Sequence, residues 1–334
     1  MTDSSFLHRI SVVVPVYQGE RTLPGLVDEL LPLTGTFFTP DGHQAVVSEI
    51  IFSYDNGPDS SDRVLRELAT AHDVVKLVWL SRNFGQHAAT LAGIASSGGD
   101  WVVTMDEDGQ HDPAFIGSML DTALRDRAQV VYARPSNLPP HGFVRNTASK
   151  AAKMFLETLF GSVNASEFNS FRLIVADVAR SVAAYAGNGV YLDVALGWIA
   201  KRASTSPVVL RQEDRDSGYS YRSLMAHFLR MIITSGTRGL RLVAVTGALF
   251  AVIGLFFAAY IAFDRLYGDG VDSPGWTSIM VLLSLGIGMI LMALGIVAEY
   301  LGVAVNMAMG KPAYLIVRDP ATGPLGQTRT LSDS

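Results

Sequence analysis

A short apolar run, Trp101 to Met105, ends in a cluster of polar groups: Asp106, Glu107, Asp108, Gly109, Gln110, His111 and Asp112, followed by Pro113. Asp106 and Asp108 are two carboxylates one residue apart. In a turn they can hold a hard divalent cation, Mg2+ or Mn2+, whose open positions take phosphate oxygens. The carboxamide of Gln110 adds a third oxygen. An ordinary acidic turn is the plainer reading of such a pattern. Its position between an apolar strand and a proline-started helix favours metal binding. His111 has no second histidine at ligand spacing and reads as a solvated turn residue.

Phosphate groups held by a metal call for fixed positive charge opposite them. Arg82, Arg134, Arg145, Arg172 and Arg215 are the candidates, because a guanidinium keeps its charge and presents a fork of donors. Each of them taken alone reads equally well as a surface or ion-pairing residue.

The elements that must position these groups follow from hydrophobic patterning. Residues 11–15, 49–53, 75–80, 101–105 and 129–132 are short β-rich runs. Between them lie helical patterns at Thr22–Leu33, Ser60–His72, His87–Ser97 and Pro113–Asp126. Continuous apolar strands alternating with helices predict a mainly parallel sheet covered on both faces. Ligands of such sheets sit beyond the carboxyl ends of the strands, which is where the acidic cluster falls.

The C-terminal half is different in kind. Residues 141–160 and 222–238 are basic and amphipathic. The first reads equally as an interface helix or a helix on the domain core, and the second as an interface helix. Leu242–Phe263 and Thr277–Ala298 carry no charge and have the length of membrane spans. The loop between them holds Asp264, Asp269 and Asp272 against Arg265. Arg230, Arg238, Arg241, Lys311 and Arg318 flank the pair outside. This asymmetry predicts a two-span anchor in the inner membrane, with the catalytic domain and C-terminus cytoplasmic. The expected division is residues 1–220 for the α/β domain, 221–240 for a juxtamembrane helix, 241–305 for the anchor and 306–334 for a cytoplasmic tail. Beyond Arg318 the Gly, Pro, Ser and Thr content predicts disorder.

A formal net charge of -5 gives no electrostatic footprint for nucleic acid. With no cysteine, disulfides, thiolate zinc sites and cysteine nucleophiles are excluded. Met1–Arg9 is short and polar, and the apolar run after it reads as a strand, so no signal peptide is expected.

Several segments together resemble one family. Residues 14–17 (Val-Pro-Val-Tyr), 80–87 (Leu-Ser-Arg-Asn-Phe-Gly-Gln-His) and Asp106, Asp108 and Gln110 are similar to the inverting GT-A glycosyltransferases of family 2 that use polyprenyl phosphate acceptors. Bacterial undecaprenyl-phosphate glycosyltransferases and dolichyl-phosphate mannose synthases belong there. Arg145 and Ser149 resemble their acceptor-side arginine and serine. Phe171, Arg172 and Leu173 resemble their F-R-L motif, and Arg215, Gly218 and Ser220 their arginine-glycine-serine loop. Glu299 to Gly302 and Lys311, Pro312 and Tyr314 match the membrane part, so the likeness runs over about residues 10 to 318.

The resemblance implies a GT-A domain followed by interface helices and two transmembrane helices. It implies a nucleotide sugar and a polyprenyl phosphate as substrates, a divalent cation as cofactor, and in-line displacement with inversion. Asp106, Asp108 and Gln110 would take the metal and donor phosphates. Arg134, Arg145, Ser149 and Arg215 would hold the acceptor phosphate or the diphosphate, with Arg82, Arg172 and Ser220 as further binding residues. Pro15, Tyr17, Glu20 and Asp55 would line the nucleoside side. Homo-oligomerisation is left open.

The chain departs from the family pattern at four places. It has Tyr54, Asp55, Asn56, Gly57 where Asp-Asp-Gly-Ser is common, and Ser170 where many bacterial members carry aspartate. Tyr221-Arg222 replaces the usual lysine-tyrosine spacing, and Ala298 and Val303 replace a glycine and an arginine. Two other readings compete. A non-catalytic membrane scaffold would keep the fold and bind nucleotide or lipid. A processive polysaccharide synthase would carry a Q-x-x-R-W motif, which this sequence lacks.

Overall fold

The computed structural model describes residues 6–136, 169–187, 190, 192–200, 202–211, 247, 252, 256, 263, 275–310 and 312–322. Arg145, Ser149, Arg215 and Ser220, both amphipathic stretches and most of the first expected span lie outside the described residues.

The sheet is built on β1 (His8–Val16), β3 (Gln44–Tyr54), β4 (Val75–Leu80) and β5 (Trp101–Thr104), which run parallel in the order β5-β1-β3-β4. Most of their apolar residues are buried because helices cover both faces. On one side, α1 (Leu23–Leu30), α2 (Ser61–Ala71) and α4 (Ile116–Asp126) pack on Ile10, Val12, Val14 and Val16. On the other, α3 (Gln86–Ala95), α5 (Ala176–Tyr185) and α6 (Leu192–Ile199) pack on Val13, Ile51 and Val78.

Both flanks depart from the parallel pattern. The short strand β7 (Arg172–Val175) inserts antiparallel between β5 and β6 (Val130–Pro135), and β8 (Ala203–Val208) pairs parallel with β6. β2 (Phe37–Phe38) and β9 (Ile316–Val317) add antiparallel edges to β3 and β4. The first helix is shorter than expected: α1 stops at Leu30 and a 3-10 turn, Leu31–Thr34, follows. Pro32 explains this, since it lacks an N–H and its ring crowds the preceding turn. The fourth expected helix likewise opens as a 3-10 turn, Pro113–Phe115, capped by the Asp112 side chain, before α4 begins.

The C-terminal segment is not a free tail from its start. Besides β9, Asp319 is ion-paired to Arg66 on α2, and Ala321 donates its N–H to Asp319. The chain divides into two compact units, and the one holding the sheet also takes in the segment from Lys311. The other contains α7 (Trp276–Ala308), a single 33-residue helix that includes the whole second expected span. Among the described residues no membrane span is identified, and the side chains of α7 are described only in part.

Candidate active site

The loops that leave the carboxyl ends of β1, β3, β4 and β5 are joined to one another by side-chain hydrogen bonds. Asp106 lies at the centre. Its Oδ1 accepts from the Gln86 side chain at the start of α3 (2.6 Å), and its Oδ2 accepts from the Ser170 hydroxyl (2.5 Å). Ser170 is fixed in turn by its carbonyl, which accepts from Thr104 Oγ1 at 2.6 Å. The serine that replaces an aspartate therefore donates to the first carboxylate of the acidic turn.

Asp108 accepts the N–H of Gln110 at 3.0 Å, closing the turn over Gly109, whose φ of 77° lies where a side chain is disfavoured. Burial pushes the Asp108 carboxyl above the ordinary range, and the neighbouring Asp106 charge adds to this against the opposing Gln110 N–H. An acidic turn so desolvated is relieved by a cation. His111 is buried, contrary to the solvated reading. It stacks on Phe171 (centroids 5.0 Å apart) and its Nδ1 accepts the Asp106 N–H at 3.1 Å, which leaves the proton on Nε2 of a neutral ring. Burial holds it below the usual histidine value.

Glu107, between the two aspartates, turns the other way. Its carboxylate accepts the backbone N–H of Tyr17 (3.0 Å) and of Gln18 (2.9 Å), clamping the loop after β1. Burial raises its carboxyl to about 7, against the pull of those two N–H groups. Gly19 donates to Ser61 Oγ, and Glu20 N–H donates to Asp59 while its carboxylate accepts from Ser60. The loops after β1 and β3 thus interlock. Gly57 is needed there because a Cβ would fall 1.5 Å from the Tyr17 carbonyl oxygen.

Asp55 is 3% exposed and accepts the N–H groups of Phe84 and Gly85, each at 2.7 Å. It organises the loop after β4 from within. Burial raises its carboxyl, with the two N–H bonds and the Arg82 charge opposing. Asn56, at φ 53°, donates to the Leu80 carbonyl, and short polar side chains tolerate that backbone. Pro15 is buried in β1 opposite Ser53, whereas Tyr17 is 42% exposed at the rim. Arg82 is exposed over the Phe84 ring at 4.3 Å, and Arg134 is exposed at the end of β6.

Arg172 is held inside the fold. It is 3% exposed, ion-paired to Asp193 on α6, and donates Nε–H to Thr104 Oγ1 at 2.9 Å. Its charge is engaged inside the fold by Asp193. Arg211, which residue spacing did not single out, takes an outward role. Its guanidinium bridges Glu29 (2.7 Å) and Asp112 (2.9 Å), and the Arg211 backbone N–H donates to the Gln110 carbonyl.

Residues 11–175 match Glycosyl transferase family 2. The chain carries a family 2 glycosyltransferase domain. The transferase is 28% identical over 328 residues to undecaprenyl-phosphate 4-deoxy-4-formamido-L-arabinose transferase of Klebsiella pneumoniae (strain 342), covering 96% of this chain and 98% of that one. It is 29% identical over 326 residues to the enzyme of that name from Erwinia tasmaniensis, covering 95% and 96%. Among solved structures it is similar to glucosyl-3-phosphoglycerate synthase from Mycobacterium tuberculosis in complex with Mn2+, UDP-glucose and phosphoglyceric acid. That likeness has 19% identity and a TM-score of 0.47, covering 69% of this chain and 79% of the other. The transferase domain has the parallel-centred α/β sheet of the GT-A fold, with its acidic turn at the carboxyl end of β5.

Proposed function

We propose that this glycosyltransferase moves a sugar from a UDP- or GDP-linked donor onto undecaprenyl phosphate or a related polyprenyl phosphate, with inversion. The supporting observation is the reach of the likeness. Relatives named for undecaprenyl-phosphate transfer align over 96% of the chain, well past the family 2 match that ends at residue 175. A common donor chemistry would need only the shared nucleotide-sugar domain, whereas a common lipid acceptor accounts for a shared C-terminal half. A modified pentose, as in those relatives' names, stands beside glucose, mannose and N-acetylhexosamine as the sugar.

In this reading the lipid phosphate oxygen attacks the anomeric carbon, and the bond to the nucleoside diphosphate breaks with its electron pair on the leaving oxygen. A lipid phosphate is already anionic near neutral pH, so it needs positioning more than a general base. Asp106 and Asp108 fit a divalent cation in a particular way. Among the described residues no group of three or more acidic or imidazole side chains is arranged as a complete metal cage. Mg2+ is commonly held by one or two carboxylates with substrate phosphates and water completing the shell, and this turn offers that donor set, with Gln110 beside it. When bound, the cation supplies charge against the developing diphosphate. Gln86 and Ser170 keep Asp106 oriented for that task.

Tyr17, Glu20 and Asp55 belong to the loops assigned to the nucleoside side, with Pro15 behind them and Arg82 at the rim. Arg134, Arg145, Ser149, Arg215 and Ser220 are assigned to the acceptor phosphate or the leaving diphosphate. The membrane reading has its support in α7, which carries no charge from Thr277 to Ala298. Ile279, Leu283, Ile290, Leu291, Leu294 and Leu301 are exposed on it. A helix of its 33 residues is about 50 Å long, enough for a bilayer. With the uncharged stretch at Leu242–Phe263 it would form a two-span anchor that leaves the catalytic domain on the cytoplasmic side.

The test is transfer from radiolabelled UDP- and GDP-sugars to undecaprenyl phosphate in detergent, with magnesium or manganese. Labelled lipid that disappears on chelation, and in a folded Asp108→Asn variant, is the expected result. Nucleotide binding with no transfer from any donor would favour the scaffold reading instead.

A further inference from the structure

The segment after α7 reaches the donor side of the sheet by a route that the proposed chemistry does not use. Ile316 and Val317 pair with Leu80 and Trp79 at the end of β4. One residue earlier, the Leu315 carbonyl accepts the backbone N–H of Ser81 at 3.0 Å. Tyr314 and Phe84 each pack against the core on the α3 side. Asp319 then receives the Arg66 guanidinium on both carboxylate oxygens, at 2.8 and 2.9 Å. Arg66 also donates to Asp62 at 2.8 Å and lies over the Trp79 ring, 4.8 Å from its centroid.

Ser81 opens the loop that runs to Gln86. Phe84 and Gly85 in this loop hold Asp55, and Gln86 holds Asp106. The loop is therefore tethered from inside by a buried carboxylate and from outside by the carbonyl of Leu315. We infer that residues 314–319 form a strap that sets the position of Ser81–Gln86, and that Arg66 and Asp319 are a positioning pair for the donor site.

The pair has the two-oxygen fork that fixes geometry as well as charge. Its side chains are 30% and 17% exposed, and what it holds is a two-residue edge strand and the turn after it, so its hold is local. Loss of the pair should free the strap, and with it the loop, without unfolding the domain.

The experiment uses the full chain in detergent, with amide hydrogen exchange read at Ser81–Gln86 and steady-state kinetics read beside it. Asp319→Asn should speed exchange there about fivefold or more, since local opening governs protection. It should raise KM for the nucleotide sugar about threefold to tenfold with kcat within about twofold, the pattern of a binding defect. Arg66→Lys should act in the same direction, and the double variant should be no worse than the larger single, because both act through one pair. Asp62→Asn, which removes the other carboxylate from Arg66, should leave exchange in the loop unchanged.

Unchanged exchange in Asp319→Asn would overturn the strap, and so would an equal effect from Asp62→Asn. The kinetic arm rests on the glycosyl-transfer reading, but the exchange arm does not. Faster exchange in an enzyme that transfers nothing would keep the strap and sink that reading.

Discussion

Glu107 Oε2 lies 3.0 Å from the backbone nitrogen of Tyr17, and its second oxygen lies 2.9 Å from that of Gln18. The middle residue of the acidic turn therefore shapes the loop after β1, while its neighbours are the two carboxylates proposed for the metal. Glutamine at this position would keep the size but set an NH2 group against one of the two N–H donors. Glu107→Gln should raise KM for the nucleotide sugar about tenfold to a hundredfold, the scale of one lost charge-assisted hydrogen bond. A KM within error of wild type would separate this loop from the donor.

Asp106 takes two side-chain donors, from Gln86 and from Ser170, one on each oxygen. Removing either lets the carboxylate turn. Gln86→Ala and Ser170→Ala should each lower kcat/KM about tenfold, with the double variant departing from additivity because both act on one group. Strictly additive losses, measured as a double-mutant cycle, would mean the two residues act independently of Asp106.

Arg172 distinguishes a structural role from a phosphate-binding one. Its side chain is 4% exposed and that of Asp193 is 14% exposed. Arg172→Met would leave the Asp193 carboxylate without its counter-ion and Thr104 Oγ1 without the Arg172 Nε–H. The expected cost is about 3–5 kcal/mol of stability, typical of breaking a buried pair by removing one member. Chemical denaturation reads it directly. A variant of unchanged stability with weakened lipid-phosphate use would restore the phosphate reading.

The parts of this fold that were legible beforehand share a property: they repeat. Buried strands β1, β3, β4 and β5 announce themselves by short runs rich in apolar and β-branched residues, and the acidic turn by its place after one of them. Glu107 was illegible because its partners lie ~90 residues away and are backbone atoms, which leave no trace in residue type. β7 is legible as a motif and not as a strand, since four residues give no period to detect. Arg172 carries the same charge whether it faces a phosphate or Asp193, and only burial tells the two apart. A two-residue edge strand such as β9 has its information in β4 and in Arg66, not in itself.

His8 offers a pH test at the far end of β1. Its Nδ1 accepts the Trp101 indole N–H at 3.2 Å. Burial and the nearby His43 hold it below the ordinary histidine value, against the Asp100 charge. The folded protein thus binds this proton more weakly than the unfolded chain does. Its contribution is present above the unfolded value of about 6.5 and is lost as pH falls through the lowered folded value. Wild-type stability relative to His8→Gln should fall on going from pH 7.5 to about 5. A flat difference across that window would place the ring in ordinary solvent.

Gly57 carries the most local of these predictions. It has no residual freedom on the side facing β1, since a Cβ built there falls 1.5 Å from the Tyr17 carbonyl oxygen and 2.6 Å from its carbon. The obstacle is backbone, so no rotamer change relieves it. Gly57→Ala must displace either the loop after β3, where Tyr54 donates to the Gly57 carbonyl at 3.0 Å, or the loop after β1. Either way Tyr17 and Asp55 separate, and the two loops assigned to the nucleoside no longer meet. The domain core is untouched, so far-UV circular dichroism should match wild type while the affinity for nucleotide falls about tenfold or more, as for other misplaced positioning groups. Isothermal titration with UDP and GDP measures this. Unaltered affinity for both nucleotides would show that they bind elsewhere on the carboxyl edge of the sheet.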